Sequence, residues 1–197
     1  MSSGKSSLPA LVRWLHTYLS LLGFATILFF AVTGLTLNHA AWFESGGERE
    51  SWSDLECPRE IVGESGEADE ARVAGWLRAS AGVRGDVYDF AADAERVSIV
   101  LKAPGYAADA EIDVASGQAR VHVLALNGWA VLDDLHKGRD SGAAWAWAID
   151  VSAVLMALSA LSGLWLVLYV RRRRSPGLVV TLVGTLVLLA VAWLWVP

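Results

Sequence analysis

The sequence predicts an α-helical membrane protein: three transmembrane helices, with a small extracytoplasmic α+β domain between the first and the second. Three observations predict it. Runs with no formal charge, or with one acid, span residues 15–37, 143–170 and 177–196. Each reaches the length of about 20 apolar residues that a helix needs to cross a bilayer. Hydrophobic residues make up 54% of the 197, and mean hydropathy is +0.41, too apolar for an ordinary water-soluble domain. Between the first two runs the chain turns acid-rich, with turn residues separating short alternating segments.

The first segment, residues 1–43, opens on a small polar tail of about eight residues and continues as RWLHTYLSLLGFATILFFAVTGLTLNHAAWF from Arg13 to Phe43. Its apolar run is far longer than a signal-peptide core, and no A-x-A-like site follows, so a retained signal anchor is expected. The second segment, 44–142, is the outer domain. EADEARVAGWLRAS, Glu67 to Ser80, has acids in its first turn and Val73, Trp76 and Leu77 at helical spacing. Strand-like segments follow at 87–92, 96–102, 110–114 and 119–126, with turn signals at Pro104-Gly105 and Ser116-Gly117. WAVLDDLHK, Trp129 to Lys137, predicts a helix leading back to the membrane. The second span, 143–170, carries a single acid, Asp150. Arg171 to Arg174 form a basic stop, Ser175-Pro176 a turn, and 177–197 the third span.

Basic residues flank the start of the first span and the end of the second. The positive-inside rule therefore predicts a cytoplasmic N-terminus, an outer domain outside and a C-terminus outside. Seven of the ten tryptophans, Trp14, Trp42, Trp145, Trp147, Trp165, Trp193 and Trp195, stand near the ends of apolar runs, where interfacial belts belong. Cys57 is the only cysteine, which excludes an intrachain disulfide, a CxxC redox pair and a cysteine-rich metal site.

No nucleophile-base set, phosphate loop or H-E-x-x-H occurs, so no catalytic residue is assigned. Histidine is costly in lipid, and an intramembrane one marks a functional candidate. His16 and His39 stand near opposite ends of the first span, roughly 34 Å apart along an ideal helix. His136 lies just before the second span. Antiparallel neighbouring helices would bring His39 and His136 to one depth at the outer face. Two imidazoles converging between helices hold a haem iron in membrane bundles. Gly34, Thr36, Gly138 and Gly142 supply small residues for a ring to lie against, and Lys137 and Arg139 supply cations for its propionates. The pair reads equally well as interfacial histidines meeting headgroups. His16 shares a helical face with Ser20, Gly23 and Gly34, and His39 points about 140° away from that face. An inner haem on His16 would need a ligand from another subunit or a non-histidine ligand, and a hydrogen bond within the bundle explains His16 as readily. Asp150 shares a face with Ala153, Ala157 and Ala160, and an acid there is expected to pair, with Asn38, His39 or Arg139, either orienting an imidazole or locking two helices. His122, in the alternating strand VHVLAL, reads as a half-exposed strand residue.

RWLHTYLSLLGFATILFFAVTGLTLNH and DLHKGRDSGAAWAWAIDVSAVLMALSALSGLWLVL resemble the PepSY-associated transmembrane proteins, in their small three-helix branch. VYDFAADAERVSIVLKAPGYAADAEIDVASGQ is similar to the αβ PepSY unit. Larger relatives include inner-membrane reductases of ferric siderophores that bind haem b through membrane histidines. The resemblance implies His16, His39 and His136 as candidate haem ligands. It also implies an electron-transfer role across the bacterial inner membrane, to ferric-siderophore iron or a periplasmic flavoprotein. Without a nicotinamide or flavin motif, electrons would come from quinol or a partner. The small-residue faces predict a homo-oligomer or a larger membrane complex, in contact with lipid and with no nucleic-acid partner. The competing reading is a cofactor-free, membrane-anchored PepSY binding or assembly module.

Overall fold

The computed structural model describes residues 8–43, 46–63 and 68–196, so the expected polar tail and the first residue of the helix expected from Glu67 lie outside the described residues. The chain divides into two compact units, one of 1–28 with 150–197 and one of 29–149.

α1 (Leu8–Leu22) lies in the first unit and is followed across Gly23 by α2 (Phe24–Asn38), which belongs to the second unit from Phe29 onward. A single straight helix was expected; the two meet at a bend of 53°. The cause is local. Helical hydrogen bonds flank the break, from Gly23 N–H to the Leu19 carbonyl at 2.9 Å and from Ile27 N–H to the Gly23 carbonyl at 2.9 Å, and the α-helical ladder is interrupted between them. The Thr26 hydroxyl also donates to the Gly23 carbonyl, at 2.8 Å, and a threonine competing for a helical carbonyl beside a glycine is a known source of kinks. α7 (Gly142–Tyr169) buries Ser152, Ser159 and Ser162. Its packed face is thus a serine face, and Ala153, Ala157 and Ala160 are exposed with Asp150.

α8 (Arg171–Trp195) starts earlier than the sequence predicts. The four arginines and Pro176 lie inside it, and the turn falls at Val170 instead of Ser175-Pro176. Pro176 is the sixth residue of the helix, just past its first turn, so it forgoes one backbone hydrogen bond, to the Arg172 carbonyl, without ending the helix. Both α7 and α8 are long and apolar enough to cross a membrane, while α1 and α2 meet that test only as a bent pair.

The second unit holds α3 (Ala40–Phe43), α4 (Arg59–Val62), α5 (Glu70–Ser80), α6 (Gly128–Lys137) and a five-stranded antiparallel sheet. Its strands are β1 (Arg49–Glu56), β2 (Asp86–Ala92), β3 (Arg96–Ala103), β4 (Tyr106–Asp113) and β5 (Gln118–Ala125), in the order β1-β5-β4-β3-β2. Period-two alternation turns Val97, Ile99 and Leu101 of β3, Ala108, Ala110 and Ile112 of β4, and Ala119 and Val121 of β5 to one face. There they form one buried cluster with Val62, Val73 and Leu77. Asp69 caps α5 by accepting from Arg72 N–H at 2.9 Å. Asp93 and Asp113 organise the β2–β3 and β4–β5 turns, and the backbone N–H groups they accept hold both carboxyls below the usual range.

β1 is an addition to the four strands read from the sequence. Its stretch RESWSDLE has no inward alternation, since it is an edge strand whose side chains are almost all exposed and whose backbone alone pairs with β5. Cys57, just after it, is buried, and burial pushes its thiol up to about 11. Leu77, 0% exposed, is the centre of the helix-on-sheet contact. Leu77→Ala should destabilise this unit by about 2–5 kcal/mol, read as lost protection of β3 and β4 amides against hydrogen exchange.

Candidate functional site

The site in the second unit is built by docking α6 on the end of α2. Asn127 starts α6 by accepting from Ala130 N–H at 3.0 Å, and its amide donates to the Phe43 carbonyl at 2.9 Å, tying α6 to the end of α3. Asp134 accepts from Gly105 N–H at 2.9 Å, anchoring the helix to the β3–β4 turn. Gly138, in the left-handed conformation at φ 69°, closes it.

Two threonines one turn apart on α2 then receive two polar side chains one turn apart on α6. The Thr36 hydroxyl donates to Asp133 at 2.7 Å. The Thr33 oxygen lies 2.5 Å from His136 Nδ1, and the Thr33 hydroxyl donates to the Phe29 carbonyl at 2.7 Å. With its proton committed to Phe29, Thr33 can only accept from the imidazole. The network therefore assigns the proton to His136 Nδ1 and leaves the lone pair on Nε2. Phe30 meets the ring edge-on at 5.0 Å, and a Cβ at Gly34 would stand 3.6 Å from His136 Cε1.

In the first unit, His16 is seated the same way. Its Nδ1 lies 3.1 Å from the Ser159 carbonyl and 2.9 Å from Ser162 Oγ, whose own hydroxyl donates to the Ser159 carbonyl at 3.0 Å. A carbonyl so close demands a proton on Nδ1, so Nε2 again carries the lone pair. The ring lies on Gly163, where a Cβ would come within 3.1 Å of Cε1. The Ser159 hydroxyl beside it is buried and has no hydrogen-bond partner among the described residues. The face of α7 that meets His16 is thus Ser159, Ser162 and Gly163, to which the sequence reading gave no role.

The other candidates are placed differently. His39 sits between α2 and α3 with its ring stacked on Trp42 at 4.0 Å, and no hydrogen bond or ring contact joins it to His136. Asp150 is exposed and, among the described residues, has no hydrogen bond or ion pair, so the expected pairing with Asn38, His39 or Arg139 is absent; Arg139 pairs with Asp134 at 3.8 Å. Lys137 and Arg139 open on a cavity of about 430 Å³ that neither His39 nor His136 lines. His122 is more than a strand residue: its Nε2 is 2.7 Å from Glu50, its Nδ1 is 3.7 Å from Asp109, and Trp52 stacks on it at 4.1 Å. No group of three or more His, Cys, Asp or Glu side chains suited to a metal ion occurs among the described residues. A macrocyclic iron, by contrast, needs only one or two axial imidazoles, and His16 and His136 present the required Nε2 lone pair.

Thr33 is the residue that sequence reasoning missed, and its only sequence signal is that Thr33/Thr36 and Asp133/His136 share the i, i+3 spacing. Thr33→Ser should keep the His136 tautomer and Thr33→Val should release it. Nitrogen-15 NMR of the histidine rings checks this, with one Nδ1–H population expected in wild type and Thr33→Ser, and mixed tautomers in Thr33→Val.

No curated protein and no solved structure matches the chain. A family model described as PepSY_TM-like matches residues 10–197, nearly the whole length and both histidine seats. With its apolar helices and its α+β sheet unit, the chain belongs to the PepSY_TM-like family of membrane proteins.

Proposed function

We propose that the protein is a b-type haem protein of the bacterial inner membrane that passes electrons to an acceptor outside it. The observation that carries this reading is the shared seat of His136 and His16. Each ring has Nδ1–H tied to an oxygen, Nε2 left with its lone pair, and a glycine beside it, in van der Waals contact at Gly34 and tightly packed at Gly163. Tying Nδ1 fixes the ring's tautomer and orientation, as it does for metal-bound histidines generally. Haem iron, when bound, supplies reversible one-electron chemistry.

His136 is the outer ligand in this reading and His16 the inner one. At the outer end His39 is the second imidazole of the chain. At the inner end the second position falls to another copy or a partner subunit, and the unpartnered Ser159 hydroxyl provides a spare donor there. In this reading electrons come from quinol or a partner protein, and the acceptor is ferric-siderophore iron or a periplasmic flavoprotein. A second reading, a cofactor-free binding module, rests on the open sheet face where Trp52 stacks on His122.

The absorption spectrum of detergent-purified protein, before and after dithionite, separates the two. A haem Soret band and reduced α band are expected, and colourless protein from haem-replete cells favours the binding module. Two haems, one at each seat, mean that His136→Ala or His16→Ala roughly halves the haem content, while His122→Ala leaves it unchanged. Wild-type haem in both ligand variants would refute the assignment.

The same reading places the N-terminus and Arg171–Arg174 in the cytoplasm and the sheet unit outside. Cys57, buried and with its thiol pushed up to about 11, is a silent background for thiol labelling. Ser175→Cys should stay unlabelled by an impermeant reagent in intact cells and become labelled after lysis.

A further inference from the structure

We infer that the cavity bordered by Glu48, Lys137 and Trp129 binds the headgroup of a phospholipid that carries both a phosphate and a primary amine. The cavity encloses about 430 Å³, within the range of small-molecule sites. It lies in the sheet-bearing unit, lined by the end of α3, by Leu126 just after β5 and by α6.

The charges on its wall are of both signs, and most are already used. Asp133 accepts from Thr36 at 2.7 Å. Asp134 accepts from Gly105 N–H at 2.9 Å and faces Arg139 at 3.8 Å. Glu48 and Lys137 are different: among the described residues neither has a hydrogen bond or an ion pair, and they do not pair with each other. One free carboxylate and one free ammonium therefore face the same space. A purely anionic ligand would satisfy Lys137 and meet Glu48, and a purely cationic one would do the reverse. A zwitterion satisfies both.

A second cavity of about 680 Å³ shares Phe43, Asn127 and Trp129 with the first and adds Trp42 and Leu132. A charged compartment and an aromatic one thus share a wall, the shape of an amphiphile with its head in one and the start of its chains in the other. A soluble zwitterion would have no use for the second. Trp42, 69% exposed, stands at the end of the first apolar segment, and Trp129 of α6, 42% exposed, packs on the neighbouring Phe43 at 4.9 Å; indoles settle at the membrane–water interface. A primary amine is chosen over choline because Glu48 accepts N–H bonds that a quaternary ammonium lacks, whereas choline would take the aromatic faces alone.

Native mass spectrometry of the delipidated full chain tests this, with phosphatidylethanolamine, phosphatidylcholine and phosphatidylglycerol of identical acyl chains. Wild type should retain phosphatidylethanolamine about tenfold better than either of the others, the scale of a hydrogen bond to a charged group. Lys137→Gln should lose that affinity by a similar factor, and Glu48→Gln should lower it to the phosphatidylglycerol level. Both side chains are exposed and unpaired, so unchanged helical content and elution confirm that the variants are folded. Equal retention of the three lipids by wild type would overturn the proposal. So would wild-type phosphatidylethanolamine binding in both variants. The readout involves no haem and stands or falls apart from the ligand assignment above.

Discussion

The contact between Thr33 and His136 is the constraint on which the docking of α6 against α2 depends. In apolar surroundings a polar side chain without a partner is expensive, so α6 can lie against α2 only where each of its inward polar groups finds one. Thr33 and Thr36 meet that condition for His136 and Asp133 together. The hydroxyl of Thr33 is itself committed to the Phe29 carbonyl, and this decides which nitrogen of His136 bears the proton. A single side chain thus positions a helix and sets the chemistry of the ring it carries. Without it the imidazole would have two tautomers and no preferred direction for its lone pair.

The same device recurs at His16 with different residues. There the oxygens come from the Ser159 carbonyl and the Ser162 hydroxyl, and Gly163 replaces Gly34 as the floor under the ring. Two seats of one chemical pattern, on different helices and in different units, are hard to explain as separate packing accidents. A structural histidine needs its hydrogen bonds satisfied. These two satisfy one nitrogen, hold the ring rigid and leave the other nitrogen free. The buried, unpartnered Ser159 hydroxyl adds a polar group in the same place whose cost is recovered only by a further contact.

The sheet unit and the helices place different demands on the sequence. In the sheet, alternating apolar residues bury one face against α5, and the opposite face stays wet, with its cross-strand charges paired as Arg120 with Asp54 and Arg96 with Glu111. In the helices, side chains exposed by the fold are apolar and suited to lipid, as along α8, where no residue is buried. Against that background Asp150 stands out, exposed on α7 among alanines. Nothing in the described residues explains its retention.

Most of the architecture was legible in the sequence because it depends on periodicity and run length, which are local. The apolar runs, the amphipathic segment that became α5, the turns at Gly105 and Gly117 and four of the strands all carry such signals. What the sequence could not determine depends on partners distant along the chain. β1 has no pattern of its own and exists because β5 presents an unpaired edge to it. The bend lies where the helix is interrupted at Gly23, whose carbonyl the Thr26 hydroxyl also takes up, and composition does not reveal it. The histidines were conspicuous from their cost in lipid, but their pairing by depth along an ideal helix could not show that His39 would stack on Trp42. Only the tertiary structure brought Thr33 to His136 and Ser159 and Ser162 to His16, because a hydroxyl selects an imidazole nitrogen through contact in space, and no spacing along one helix encodes that contact.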